Sequence, residues 1–164
     1  GETKLLALKT IRKYRELYDV QSIGAILFNH SSIFSKESFL IPKISKDILA
    51  ILSDKVTVEI ISSDKLVDLS RSENFCDAFE SCILNFYNRD FIFSSGSLVP
   101  IRNLYQDVIS QIKPEFTKFL TFDSLGSEIP SMYGNIDETR QLLHWEGGGD
   151  IRETLVDFVS RQIK

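Results

Sequence analysis

The chain has 164 residues, of which 43% are hydrophobic and 26% are charged. These values are ordinary for a globular protein and allow one domain, or one lobe of a larger protein, with a modest core. The net charge of -4 (19 basic against 23 acidic side chains) argues against nucleic-acid binding. No apolar run reaches the roughly 18 residues of a membrane span, and the charged first residues do not follow a signal-peptide pattern. We therefore expect a cytoplasmic protein without nucleic-acid or membrane partners.

The cysteines and histidines give no sign of a disulfide or a metal site. Cys76 and Cys82 lie six residues apart on one predicted helix, where they point in different directions. We expect both to be reduced thiols. His30 and His144 are the only histidines, and no cluster has the ligand spacing of a metal site.

Hydrophobic periodicity predicts alternating helices and strands in the first half of the chain. The predicted elements are an amphipathic helix over 1–19, a strand over 21–29, a helix over 43–52 and a strand over 55–62. The strand over 21–29 is so apolar that we expect neither of its faces to be solvated.

The second half continues the alternation. In order, it is predicted to contain a helix over 72–85, a strand over 91–93, a helix that starts at Pro100, a short strand or irregular segment over 116–122, a helix capped by Asn135, and a last helix that opens at Asp150. In the helix over 72–85 the inward positions are Phe75, Phe79, Cys82 and Ile83. This order of elements indicates an α/β or α+β fold.

The strand over 21–29 ends in two polar residues, Asn29 and His30. In open α/β sheets, ligands bind in the crevice at the carboxyl ends of the strands. These two residues are therefore the best site candidates. The alternative is that Asn29 only caps the loop and that His30 is an ordinary surface residue.

Several motifs, in this order, resemble one enzyme family. Residues 24–30 (Gly-Ala-Ile-Leu-Phe-Asn-His) and 39–44 (Phe-Leu-Ile-Pro-Lys-Ile) resemble the Gly-Ile-Leu-Phe-Asn-His and Phe-Val-Thr-Arg-Lys-Ile segments of extended short-chain dehydrogenases, and within them of the GDP-mannose 4,6-dehydratase family. Further similarities cover residues 74–78, 90–96, 100–104 and 134–145. The resemblance extends over essentially the whole chain and corresponds to the C-terminal half of those enzymes.

The resemblance implies an α/β substrate-binding lobe with about six helices and a few short strands. Residues 1–29 would close the Rossmann-type half of the protein, and residues 30–164 would form the substrate-binding part. The implied partners are a nucleotide-sugar substrate, an N-terminal half that carries the cofactor fold, and a second copy bound through the helix over 1–19. NADP or NAD is implied for the complete protein. No cofactor is expected to bind this chain alone, because no Gly-x-Gly-x-x-Gly turn follows a strand.

The resemblance also assigns site residues. Lys4 corresponds to the lysine of the family's Tyr-x-x-x-Lys pair, which is catalytic and holds the cofactor ribose, and the tyrosine would directly precede Gly1. His30 would approach the cofactor, while Asn29, Leu40 and Lys43 would contact the nucleotide sugar. The alternatives are that Lys4 is a solvated lysine at a helix end and Lys43 an ordinary lysine at a helix start.

Several arginines of the family pattern are absent. Ile33-Phe34-Ser35 replaces Pro-Arg-Arg, and Pro42 and Val67 each replace an arginine. Leu125-Gly126 aligns near a late Arg-Pro pair. Planar guanidinium groups are the natural partners of a pyrophosphate, so their loss predicts weaker binding of a sugar nucleotide. Arg71 and Arg102 are candidates to compensate.

Two hypotheses follow. In the first, the chain is the substrate-binding part of an NAD(P)-dependent nucleotide-sugar dehydratase or epimerase. In the second, it is a diverged and catalytically inactive module for dimerisation or regulation.

Overall fold

A computed structural model of the chain describes residues 1–123 and 131–162. Within them lie six α-helices, one 3-10 helix over Pro114–Phe119 and eight short strands. The helices are α1 (Glu2–Tyr18), α2 (Leu40–Asp54), α3 (Ser72–Leu84), α4 (Ile101–Ile112), α5 (Asp137–Leu143) and α6 (Ile151–Gln162). The strands are β1 (Gly24–Leu27), β2 (His30–Ser31), β3 (Val58–Ile60), β4 (Leu66–Val67), β5 (Ser70–Arg71), β6 (Asp90–Phe93), β7 (Val99–Pro100) and β8 (Leu120–Phe122). The predicted α/β class is confirmed.

The strands form four two-stranded pairs. Three are parallel, namely β1 with β6, β2 with β5 and β3 with β8, and β4 runs antiparallel to β7. In the first pair Gly24 lies opposite Asp90 and Leu27 opposite Phe93. The carboxyl ends of β1 and β6 therefore meet at one edge, which is where parallel sheets place ligands.

An aliphatic core joins α2, α4 and α6. Isoleucines recur at helical spacing along one side of α2, and residues of α4 and α6 pack against them. The fully buried members of this aliphatic core are Ile44, Ile48, Ile51, Leu104, Val108, Ile109, Leu155 and Val159. This packing holds α2 against α4 and α6.

A second, aromatic core covers one face of β6. Phe93 is its centre, with ring centroids 4.9 Å from Phe79, 5.7 Å from Trp145 and 5.9 Å from Phe75. The contacts are edge-on or tilted, as aromatic quadrupoles prefer. Trp145 also donates its indole N–H to the Asn74 carbonyl oxygen at 2.9 Å, so the chain after α5 is fixed to α3.

Helix α1 packs differently, since none of its side chains is buried. Its contact with the sheet depends on ion pairs from Arg12 (2.5 Å) and Arg15 (3.1 Å) to Asp90 at the start of β6. Gly24 lies beneath the Asp90 carboxylate. A Cβ there would collide with that carboxylate and with Leu8, so the close approach of α1, β1 and β6 requires glycine.

Some sequence expectations need correction. The predicted helices and longer strands are present, but the strand predicted over 21–29 is only four residues long and alternates in exposure, with Ala25 and Leu27 exposed. Ile83 was predicted to point inward, yet it is 69% exposed, because Phe75, Ala78 and Cys82 define the buried side of α3. The helix predicted to be capped by Asn135 begins at Asp137, whose N–H donates to the Asn135 side-chain oxygen at 3.0 Å.

Candidate functional site

A cleft of about 1030 Å³ opens at the carboxyl end of β1. Five parts of the chain contribute to it: the segment that runs from β1 through β2 to Ser35, the start of α2, the segment around β4, the first residue of α3, and Met132 before α5. The described residues that line it are Ile26, Leu27, Phe28, Asn29, His30, Ser31, Ser35, Phe39, Leu40, Ile41, Lys65, Val67, Leu69, Ser72 and Met132. Three of the five predicted site residues, Asn29, His30 and Leu40, therefore lie together.

The backbone around Asn29 and His30 is fixed on both sides. The Phe28 N–H donates to the Phe93 carbonyl oxygen at 2.9 Å, and the Asn29 carbonyl oxygen accepts from the Ser70 N–H at 3.0 Å. The backbone carbonyl of Asn29, and not its side chain, therefore makes the hydrogen bond that holds this segment.

His30 has one ring nitrogen in use. Nδ1 donates to the Phe28 carbonyl oxygen at 2.9 Å, and the ring lies 5.2 Å from the ring of Phe75. This arrangement orients the imidazole. Because Nδ1 carries the proton of the neutral ring, Nε2 is the nitrogen that can accept a hydrogen bond. The exposed ring can therefore hydrogen-bond a ligand through Nε2.

Two helices begin at the cleft. Leu40 is the first residue of α2 and Ser72 the first residue of α3, and neither helix start has a side-chain cap hydrogen bond. The first backbone N–H groups of a helix have no partner within the helix. Both helix starts therefore add partial positive charge to this wall of the cleft.

Lys4 and Lys43 are not among the described residues that line the cleft. Both side chains are exposed, Lys4 in the first turn of α1 and Lys43 in the first turn of α2. Their assigned roles stay predictions. The aligned pair Leu125-Gly126 lies outside the described residues.

Arg71 and Arg102 do not compensate for the replaced arginines within the described structure. Arg71 pairs with Glu153 of α6, and Arg102 pairs with Asp64 at 2.5 Å. Neither is among the described residues that line the cleft. Both guanidinium groups thus hold structural contacts next to the site.

A buried carboxylate, which sequence reasoning missed, holds the edge of the sheet beside the cleft. Asp68 is 1% exposed and accepts from Ser94 Oγ (2.5 Å), from the Ser95 N–H (3.0 Å) and Oγ (2.8 Å), and from the Gly134 N–H (3.1 Å). These bonds join the segment before β5, the turn after β6 and the segment before α5. The one sequence feature that pointed to this network was the Ser-Ser-Gly turn after a strand. Such a turn supplies hydrogen-bond donors, but the sequence does not show which residue accepts them.

The remaining reactive groups are isolated. Within residues 1–123 and 131–162 there is no cluster of three or more His, Cys, Asp or Glu side chains able to hold a metal ion. Both cysteines are free thiols, and burial raises the pKa of Cys82. In the same ranges, the helices are too short or too polar to cross a bilayer.

A family model described as GDP-mannose 4,6 dehydratase matches residues 1–155. The chain belongs to this family. The GDP-mannose 4,6 dehydratase of Homo sapiens is 25% identical over 107 residues, which are 65% of this chain and 29% of the human protein. A second relative, GDP-mannose 4,6 dehydratase 2 of Caenorhabditis elegans, is 21% identical over 98% of this chain and 47% of its own length. The family member described here thus spans less than half the length of these relatives.

A solved structure agrees with the fold of this GDP-mannose 4,6 dehydratase family member. RMD from Pseudomonas aeruginosa, complexed with NADPH, superposes with a TM-score of 0.77 at 18% identity, covering 95% of this chain and 52% of that one. At this identity the likeness shows the fold, and the fold matches what the sequence motifs predicted.

Proposed function

We propose that this chain is the substrate-binding part of an NAD(P)-dependent dehydratase or epimerase that acts on a nucleotide sugar in the cytoplasm. The observation that carries the proposal is the cleft at the carboxyl end of β1, lined by Asn29, His30 and Leu40. Its volume of about 1030 Å³ is at the upper end of ordinary ligand pockets. A nucleotide sugar is large enough to need that space.

The three residues suit different parts of such a ligand. The Asn29 amide can donate to and accept from hydroxyl or phosphate oxygens, and its backbone is already fixed by Phe93 and Ser70 through neighbouring bonds. Leu40 provides an apolar surface for a base or sugar ring. In this proposal Lys43 approaches the substrate from the same end of α2.

The donor chemistry at this end of β1 fits the ribose and nicotinamide part of NAD(P). The His30 imidazole is oriented by its bond to Phe28 and can offer Nε2, and Lys4 would bind ribose hydroxyls through its ammonium group. When bound, the nicotinamide supplies hydride transfer. None of the described residues forms a glycine-rich turn after a strand, so in this proposal the remainder of the cofactor is held by another part of the complete protein.

In this proposal, helix α1 binds a second copy of the chain. Leu6 is 65% and Leu17 61% exposed on a helix without buried side chains. Two such helices could bury these leucines against each other in a symmetric dimer.

The alternative function is an inactive module for dimerisation or regulation. Two observations favour it: Arg71 and Arg102 are paired with carboxylates outside the cleft, and Pro42 and Val67 stand where the family pattern has arginine. Under this alternative the exposed face of α1 keeps its role, and the cleft binds no substrate.

Titration calorimetry with GDP-mannose and NADPH tests the proposal. We expect weak binding of GDP-mannose and no measurable binding of NADPH to this chain alone. Asn29→Ala should weaken GDP-mannose binding about tenfold, because a hydrogen bond to a charged or hydroxyl group is lost. Asn103→Ala, on α4 and outside the cleft, is the matched control and should bind like the wild type.

Two outcomes would contradict the proposal. Micromolar NADPH binding would show that the cofactor needs no other part of the protein. Absence of GDP-mannose binding, together with a dimeric mass in sedimentation equilibrium, would favour the inactive module.

A further inference from the structure

The hydrogen bonds of Asp68 divide between its two carboxylate oxygens. Oδ1 accepts from the N–H and the hydroxyl of Ser95, while Oδ2 accepts from the Gly134 N–H and the Ser94 hydroxyl. A backbone N–H can only donate, so each oxygen has one partner that requires an acceptor. An asparagine in this place would direct its NH2 group, which cannot accept, at one of these two N–H groups. The arrangement therefore suits a carboxylate.

This carboxylate is buried directly behind one wall of the cleft. Val67 and Leu69, the neighbours of Asp68 in the chain, both line the cleft, whereas Asp68 is not among the described lining residues. We call Val67 and Leu69 the β4 wall. At the end of the same stretch the Ser70 N–H donates to the Asn29 carbonyl oxygen at 3.0 Å. The β4 wall is thus joined to the candidate site at the end of β1.

Met132 lines the cleft from a distant part of the chain, two residues before Gly134. Gly134 is buried, and its N–H lies 3.1 Å from Asp68 Oδ2 and 3.2 Å from Ser94 Oγ. A Cβ at this position would lie only 2.6 Å from the Ser94 Cβ and 2.8 Å from Ile92 Cγ2, so this close approach requires glycine. The bond from Gly134 to Asp68 therefore attaches the Met132 segment to the back of the β4 wall.

We propose that Asp68 is a positioning residue of the cleft: through Gly134, its carboxylate holds Met132 at the ligand-binding space beside the β4 wall. The inference rests on the proposed function in that it concerns the same cleft. Asp68 itself does not touch the ligand. Met132 does, with a flexible and polarisable thioether that adapts to the apolar face of a base or sugar ring.

Amide hydrogen exchange, followed by NMR on the ligand-free protein, tests the attachment. The Gly134 amide should exchange slowly in the wild type, because it is buried and hydrogen-bonded. In Asp68→Ala, which removes both acceptors, it should exchange at least about tenfold faster. Asp68→Asn keeps one acceptor, so it should accelerate exchange at only one of the two amides, Ser95 or Gly134.

Calorimetric titration with GDP-mannose tests the effect on the cleft. Asp68→Ala should weaken binding about tenfold, because Met132 is released. Gly134→Ala breaks the same bond from its other end, since the added Cβ collides with Ser94. The double variant should bind no more weakly than Asp68→Ala alone, because both changes disrupt one connection.

The Met132 methyl group reports on its own contact with the ligand. Met132 is the only methionine of the chain, so its 13C-methyl resonance is assigned without ambiguity. Saturating GDP-mannose should shift this resonance in the wild type and shift it less in Asp68→Ala. Two controls should bind GDP-mannose and shift the resonance as the wild type does. Asp77→Ala removes an exposed carboxylate of α3, and Leu155→Ala destabilises the aliphatic core outside the cleft.

The inference is overturned if folded Asp68→Ala exchanges its Gly134 amide at the wild-type rate, or if the Met132 resonance shifts fully in this variant. Equal weakening of binding by Leu155→Ala would also overturn it, because the loss would then reflect stability alone. Circular dichroism melting curves check that each variant is folded. If Asp68→Ala does not fold, Gly134→Ala decides by the same exchange and methyl measurements.

The proposed function fails separately. If the wild type does not bind GDP-mannose but the Gly134 amide exchanges faster in Asp68→Ala, the attachment of Met132 stands without the function. If GDP-mannose binds equally tightly to the wild type and Asp68→Ala, the function stands without the inference.

Discussion

Helices α1 and α6 are both amphipathic, but only α6 contributes to a core. Four residues of α6 are buried, among them Leu155 and Val159 of the aliphatic core, whereas α1 buries none over its 17 residues. Polar contacts with Asp90 hold α1 instead. The difference teaches that an amphipathic pattern identifies the apolar face of a helix but does not show which other element packs against that face. It also distinguishes α1, which lies at the surface, from α6, which helps to form the aliphatic core.

The largest expected effect is the loss of stability when a buried leucine of α6 is truncated, compared with the truncation of an exposed leucine of α1. Leu155→Ala should lower the free energy of unfolding by about 3 kcal/mol, because it leaves a cavity where α6 packs on α2. Leu6→Ala, at an exposed position of α1, should change it by less than about 0.5 kcal/mol. Urea denaturation of both variants provides the measurement. Equal losses would mean that α1 is as tightly packed as α6, and the comparison would be wrong.

Local periodicity explains how much of the fold could be predicted. The isoleucines of α2 recur at helical spacing, and the prediction of that helix is confirmed, although it starts three residues earlier than expected. The paired strands β2 and β5 have two residues each, too short for any alternation to show. Their existence depends on partners some 40 positions away in the chain.

The pattern of residues alone predicted the candidate site only where it follows a strand, whereas Leu40 was assigned by the family resemblance. Asn29 and His30 stand at the end of an apolar run, and the structure places both in the cleft. Lys65 and Asp68 lie between short elements, without a local pattern. The bond from Ser94 to Asp68 spans 26 residues and that from Gly134 spans 66, so only the tertiary fold brings these groups together.

The next effect concerns the ion pairs that hold α1. Asp90→Asn removes the charge that Arg12 and Arg15 share, and it should cost about 1 kcal/mol, since these groups are partly shielded from solvent. Hydrogen exchange measured by mass spectrometry should become faster in residues 2–18 and stay unchanged in α2 and α6. Asp77→Asn, at an exposed position of α3, is the matched control. Faster exchange throughout the chain would argue against a separate attachment of α1.

The smallest expected effect depends on pH. It concerns the junction of β3 and β8, which lies outside α1. Asp123 follows β8, and its carboxylate accepts the backbone N–H groups of Ser62 (3.0 Å) and Ser63 (3.2 Å) after β3. These two bonds lower the pKa of Asp123 below its ordinary value. A lowered pKa in the folded state means that the ionised carboxylate stabilises the fold above about pH 4, and that this contribution is lost as the pH falls through the folded-state pKa.

The stability difference between the wild type and Asp123→Asn should therefore be largest near neutral pH and shrink at about pH 3. Urea denaturation at both pH values measures it, with Asp157→Asn on the exposed side of α6 as the control for a change in net charge. Because Asp123 joins β3 to β8, hydrogen exchange should rise locally around these strands and not in α1. If the stability difference between the wild type and Asp123→Asn stays constant down to pH 3, the carboxylate charge does not stabilise this junction. The loss in Asp123→Asn would then come only from the different hydrogen-bonding geometry of the asparagine amide.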